Sequence, residues 1–156
     1  MSDLLVRLYS LPVLAPAIEA VQQEGFEIRR ALSPENPVLL PWVSNHFSEG
    51  WAAECQAAMM RQPPSCFIAT RGQDLCGFAA YEATSRNFFG PIGVLPAFRT
   101  KHIGRALLLA ALHAMHGEGY AYAVIGSAGP AEFFRKTVGA TVIEDSSPGI
   151  YRGMLR

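Results

Sequence analysis

The sequence predicts an α/β (α+β) fold. A mixed, mostly antiparallel sheet of six to seven strands is flanked by helices, and an extra strand–helix unit precedes it. Three observations carry this. Apolar runs at Cys66–Thr70, Leu75–Ala83 and Phe88–Leu95 follow one another with no helical stretch between them, so they read as antiparallel neighbours. The run ending at Leu95 passes through a basic loop into a helical run, Ala106–Met115, and then into a strand at Tyr120–Gly126. A helix joining two strands of one sheet is a right-handed crossover, which makes those strands parallel. The opening residues contain a separate strand and helix, with no linker long enough to detach them.

At 156 residues the chain has the size of one domain, 1–156, with residues 1–25 packed on it as an extension. Hydrophobic residues make up 50%, enough for a sizeable core. Lys plus Arg and Asp plus Glu both number 13, so the net charge is zero, which argues against nucleic acid as a partner. Cys55, Cys66 and Cys76 lack metal-like spacing and read as buried reduced thiols, hence an intracellular, cytoplasmic location. Asp3 and Arg7 interrupt any signal-peptide core. The apolar run Ala106–Leu112 is far shorter than the ~20 residues of a membrane span, so no membrane partner is expected.

Leu4–Tyr9 alternates weakly and stops before Pro12, so it reads as a short edge strand. Ala15–Glu24 reads as a helix: Pro16 suits its first turn, Leu14, Ile18 and Val21 share a face, and Gly25 suits its end. Phe26–Leu32 is a strand candidate, and Ser33–Pro37 breaks it. Val38–Phe47 and Glu49–Met60 read as two helices, stopped by Pro63 and Pro64. They carry Trp42, His46, Glu49, Trp51 and Glu54, either as an amphipathic pair with aromatic core faces or as one wall of an acceptor pocket. The runs at 66–70 and 75–83 form a hairpin around Arg71–Asp74. Gly90, Pro91 and Gly93 predict a distorted or bulged third strand.

Thr100–His116 reads as a mostly buried helix with a narrow polar stripe of His102, Arg105, His113 and His116. No carboxylate or cysteine completes a metal site around His113 and His116, so they read as a solvated face and no metal is expected. After the strand at Tyr120–Gly126, Pro130 opens a helix that Gly139 closes. Thr141–Glu144 reads as a strand, and Ser146–Gly149 as a turn into a last strand, Ile150–Leu155. A homodimer contact through that last edge is the expectation.

The chemistry concentrates at Gly90–Leu112. A strand feeding a helix through a glycine-containing loop is an anion site, because the first helical N–H groups lack partners and the helix dipole is positive there. Arg99, Lys101 and Arg105 add cations at the same end. The loop lacks the Gly-Lys-Ser/Thr of a P-loop and the G-x-G-x-x-G spacing of a dinucleotide fold. It reads as a phosphate or pyrophosphate site. A Rossmann or flavodoxin-like binder is disfavoured, since the middle of the chain has three strands in succession.

Val94-Leu95-Pro96 followed by Arg99-Thr100-Lys101-His102-Ile103-Gly104 resembles the coenzyme A loop of the GNAT superfamily of N-acetyltransferases, Arg/Gln-x-x-Gly-x-Gly/Ala. His102 stands where that family usually has Gly, and a Cβ fits there only with a negative φ. Pro130–Gly139, with Phe133-Phe134, resembles the family's later short helix, which ends in Phe-Tyr. The likeness runs from about Phe26 to the C-terminus.

The resemblance implies an acyl-CoA-dependent N-acyltransferase. Acetyl-CoA would be the co-substrate, a primary amine of a small molecule or peptide the acceptor, and transfer direct. It implies cofactor contacts at Val94, Leu95, Arg99, Thr100, Lys101, His102, Ile103, Gly104, Arg105 and Phe134, with the bulged strand binding the pantetheine arm. Direct transfer needs amine deprotonation, oxyanion donors and help for the leaving thiolate. A backbone N–H near Val94 or Leu95 is the candidate oxyanion donor. Phe134 replaces the family's usual Tyr acid, leaving Tyr151, Tyr122 or water for that step. Glu82, the carboxylate within the central strand pair, is the candidate base. The alternative is a coenzyme A binding or regulatory module with little catalysis, suggested by Phe134 and His102.

Overall fold

The three successive strand runs pair as their spacing requires in the computed structural model, which describes residues 1–156. β3 (Cys66–Arg71), β4 (Asp74–Tyr81) and β5 (Phe88–Val94) are antiparallel neighbours. β2 (Glu27–Arg30) adds to β3 as one edge. α4 (Ile103–Gly117) crosses over from β5 to β6 (Tyr122–Ile125), and β5 and β6 are parallel. The complete seven-stranded order is β2-β3-β4-β5-β6-β1-β7, with β1 at Leu4–Arg7 and β7 at Thr141–Val142.

Strand alternation divides the core into two layers. On one face Ala69, Cys76, Ala79, Tyr81, Phe89 and Ile125 pack with α1 (Leu14–Gln23), α4 and α5 (Ala131–Val138). On the other, Cys66, Ile68, Phe78 and Ala80 pack with α2 (Asn36–His46) and α3 (Glu49–Met59). Buried residues nearly encircle α4, because it lies between the sheet and α1.

The sheet leaves no room beside Gly93. An added Cβ would lie 2.6 Å and 2.8 Å from two Phe47 ring carbons and 2.9 Å from Phe78. Overpacking of this kind costs about 1–3 kcal/mol. Gly93→Ala is therefore expected to lower Tm by roughly 2–12 °C in thermal unfolding, and an unchanged Tm would contradict this packing.

Four expectations are corrected. β1 is not an edge strand: Leu4 pairs with Ile125 on one side and Val142 on the other. Pro12 was a poor guide, since a 3₁₀ turn at Leu8–Ser10 separates it from the strand. The last strand does not form. Residues Gly149–Tyr151 make a 3₁₀ turn, with Gly149 at φ +60°. The place beside β6 belongs to β1, so the sheet edges are β2 and β7 and the expected dimer edge is absent. Glu82 lies beyond β4, in the left-handed region at φ +58°. His113 is half-buried, not solvated, and its Nε2 meets the Pro12 carbonyl at 2.8 Å.

Candidate active site

β5 and β6 pair only at Phe88↔Val124 and Phe89↔Ile125, and then diverge. Opposite the divergence, the β4–β5 register shifts between Ala79 and Tyr81, the expected distortion next to Gly90 and Pro91. The Leu95 N–H donates to the Cys76 carbonyl at 2.9 Å. Antiparallel ladders alternate, so Gly93 also faces β4, whereas Ile92 and Val94 turn their backbone groups toward the divergence. The Leu95 N–H is thus already used, which removes it as an oxyanion donor and leaves Val94.

A cleft of about 780 Å³ fills the gap and passes through the sheet. Phe89, Gly90, Pro91 and Ile92 line one side, and Ile125–Pro130 the other. Phe134 closes its inner end; it is buried and packs edge-on against Phe89. A separate cavity of about 240 Å³ lies at β2, β3 and α2, and shares no residue with the cleft.

The start of α4 is the candidate anion cradle. The backbone N–H groups of His102, Ile103, Gly104 and Arg105 have no intramolecular acceptor; the first bond is from Ala106 N–H to the His102 carbonyl, 3.2 Å. Arg99 Nε donates to the Val94 carbonyl at 3.1 Å, which ties this loop to the end of β5 and leaves the guanidinium's other donors free. Thr100 and Lys101 are exposed on the loop, and Lys101 lies 3.8 Å from Glu24. A Cβ at Gly104 would meet Phe133 at 3.6 Å and Val94 at 3.8 Å, ordinary contacts. Internal packing therefore does not demand Gly there, and the space above it is open to a ligand.

The expected negative φ at His102 is not found. It takes φ +62°, ψ +17°, the conformation Gly adopts freely. Holding a side chain there costs about 1–2 kcal/mol, yet the loop keeps the path a Gly would give it.

On the other face the cleft meets α3 and the C-terminal turn. Glu54 Oε1 accepts from Thr84 Oγ1 at 2.7 Å, and its second oxygen has no protein partner. Tyr151 lines the same space beside Gly126, where an added Cβ would collide with its hydroxyl and lie 2.9 Å from Phe88. Burial, then the charges of Glu54 and Asp3, push the Tyr151 hydroxyl above the usual tyrosine value; a hydrogen bond with Thr84 opposes them. Buried Asp3 pins this region. Its Oδ1 accepts from Ser127 N–H at 2.7 Å, and its own N–H donates to Ser146 Oγ at 2.8 Å.

Of the two expected catalytic residues, the cleft includes Tyr151 and not Glu82. The Glu82 carboxylate accepts from Asn87 N–H and, at 3.0 Å, from Tyr120 OH, so it closes the 82–87 turn. Tyr122 is exposed and faces Tyr9, with the hydroxyls 3.4 Å apart. The three cysteines are buried and free. A hydrogen bond with Cys66, then burial, push the Cys55 thiol up, and burial raises Cys76, so neither is a thiolate nucleophile at neutral pH. The sequence offers Glu54 only as part of a possible acceptor wall, with no proton-transfer role, and gives Thr84 no role.

Residues 62–137 match the family model described as acetyltransferase (GNAT) domain. No curated protein matches the chain. Among solved structures, it resembles the glucosamine N-acetyltransferase region of a fungal multi-domain GH3 β-N-acetylglucosaminidase, with a TM-score of 0.73 and 12% identity over 91% of this chain. A GCN5-related N-acetyltransferase from Sphaerobacter thermophilus gives 0.69 and 17% over 91%. The chain spans only 19% and 48% of those two proteins. A GNAT family acetyltransferase from Brucella melitensis, solved with acetyl-CoA, gives 0.56 and 16% over 76% of this chain and 86% of that one. At these identities the likeness is one of fold. The chain thus has the fold of GNAT acetyltransferases, and its segment 62–137 is similar to their acetyltransferase domain.

Proposed function

We propose that this chain is an N-acyltransferase that moves an acetyl group from acetyl-CoA to a primary amine by direct transfer. The observation that carries the reading is a carboxylate and a protonated phenol, Glu54 and Tyr151, lining the same cleft as the splayed β5 backbone. A coenzyme A binding module needs the anion cradle and has no use for that pair.

Acetyl-CoA, when bound, supplies an activated thioester carbonyl. The free N–H groups of 102–105, with Arg99 and Arg105, suit its pyrophosphate. Thr100 and Lys101 border that site, and the outward backbone groups of Ile92 suit the amide-bearing arm. The Val94 N–H is the proposed oxyanion donor. Glu54's free oxygen attracts a cationic amine and takes its proton, directly or through one water. Tyr151 donates a proton toward the departing sulfur. Its raised pKa keeps the hydroxyl protonated at neutral pH, as an acid requires.

The test is a thermal shift with acetyl-CoA, dephospho-coenzyme A and ATP on wild type and Arg99→Ala. A ligand bound only to the native state at a hundredfold excess over Kd stabilises by about 2.7 kcal/mol. Acetyl-CoA is expected to raise Tm, and Arg99→Ala to cut most of that rise. No shift at millimolar acetyl-CoA would overturn the reading.

A further inference from the structure

Resting on the acyltransfer reading, we infer that the acceptor is a small arylalkylamine, with its ring against Trp51 and its nitrogen at Glu54. Trp51 is 36% exposed and lines the cleft. One indole face stacks on Phe47, with centroids 5.3 Å apart and planes at 25°. Phe47 and Trp51 both pack edge-on against Phe78, at 5.7 Å and 6.1 Å. Ser48 Oγ accepts from the Trp51 backbone N–H at 3.1 Å and caps this first turn of α3. The ring is thus held from behind while the rest of it borders the cleft. A large aromatic surface fixed in orientation and left open in a cleft is a stacking platform for a planar apolar group.

Spacing selects among ring-bearing amines. Trp51 and Glu54 lie three residues apart on one helix, so they share a face with Cβ atoms about 5–6 Å apart. Glu54 Oε1 is held by Thr84, which leaves the other oxygen for the ammonium. A ligand that stacks on the indole and reaches Glu54 carries its nitrogen away from the ring on a short aliphatic link. An amine fixed directly on a sugar ring offers no planar aromatic face to the indole, and a polyamine has no face to stack.

A peptide fits less well. Tyr151, Pro148 and Met154 from the C-terminal turn line the cleft on its outer side. The sheet edges a peptide would extend, β2 and β7, are not the strands that form the cleft.

The experiment measures kcat and KM with acetyl-CoA for tyramine, phenethylamine, glucosamine, spermidine and a lysine peptide blocked at its N-terminus. Tyramine is also titrated calorimetrically into the free protein. The expected result is a kcat/KM for the two arylalkylamines at least about tenfold above the others, one decade being about 1.4 kcal/mol of discrimination. Trp51→Ala should raise the tyramine KM about tenfold without moving the acetyl-CoA Kd, and Trp51→Phe should restore most of it. Preference for spermidine, glucosamine or the peptide would overturn the inference. So would an unchanged tyramine KM in Trp51→Ala, or no calorimetric binding of tyramine. Since calorimetry needs no turnover, loss of the ring seat reads separately from failure of acetyl-CoA to bind, which overturns only the acyltransfer reading.

Discussion

Glu54→Gln is expected to lower kcat about 10²–10⁴-fold with little change in acetyl-CoA affinity. The substitution keeps shape and the Thr84 contact, in which Glu54 Oε1 accepts at 2.7 Å. What it removes is the oxygen able to take a proton. The cradle at 102–105 and Arg99 stand at the start of α4, with no contact to Glu54. Steady-state kinetics at saturating amine and calorimetry with acetyl-CoA separate the two effects. A kcat within about threefold of wild type would remove Glu54 from the mechanism. Glu82→Gln supplies the contrast. That carboxylate holds Asn87 N–H and Tyr120 OH, so its loss should appear as about 1 kcal/mol of stability, not as a lost proton transfer.

Tyr151→Phe is expected to lower kcat about 10²-fold, at the low end for a general acid because a thiolate leaves readily. The pH profile is the sharper test. An acid must be protonated to work, and burial with the Glu54 and Asp3 charges holds Tyr151 above the usual value. Wild-type kcat should therefore persist past pH ~10, where an ordinary tyrosine ionises, and fall only beyond it. The limb should vanish in Tyr151→Phe. In Glu54→Gln it should move to lower pH, since one of the charges that raise the pKa is gone. A limb unaltered in Tyr151→Phe would assign the proton to another group.

What could be read from the sequence was local. The helices and the β3-β4-β5 run announce themselves through periodicity and Gly or Pro punctuation within a few residues. The basic loop before α4 was legible for the same reason: Arg99 to Arg105 are contiguous. The acceptor side was legible only as an alternative, a possible pocket wall carrying Trp51 and Glu54; that α3 lies over the point where β5 and β6 part is stated by no pattern within α3. Glu82 reads as central because the run Leu75–Ala83 includes it, yet φ +58° ends the alternation that would have turned it inward. Tyr151 is a candidate through its phenol, and the sequence places it on a strand. It reaches the cleft on a 3₁₀ turn, and the absent side chain of Gly126 makes its seat.

The place of β1 sets an order on synthesis. Residues 4–7 leave the ribosome before their partners, which on β6 begin at Tyr122 and on β7 at Thr141. At about 5–20 residues per second, the first strand waits roughly 6–25 s for β6. Leu4 and Val6, fully sequestered later, face solvent or chaperone during that interval. Contacts so distant in sequence make closure of the sheet a late and slow event. The half of the cleft that Asp3 pins forms only when β1 has met Ser127 and Ser146.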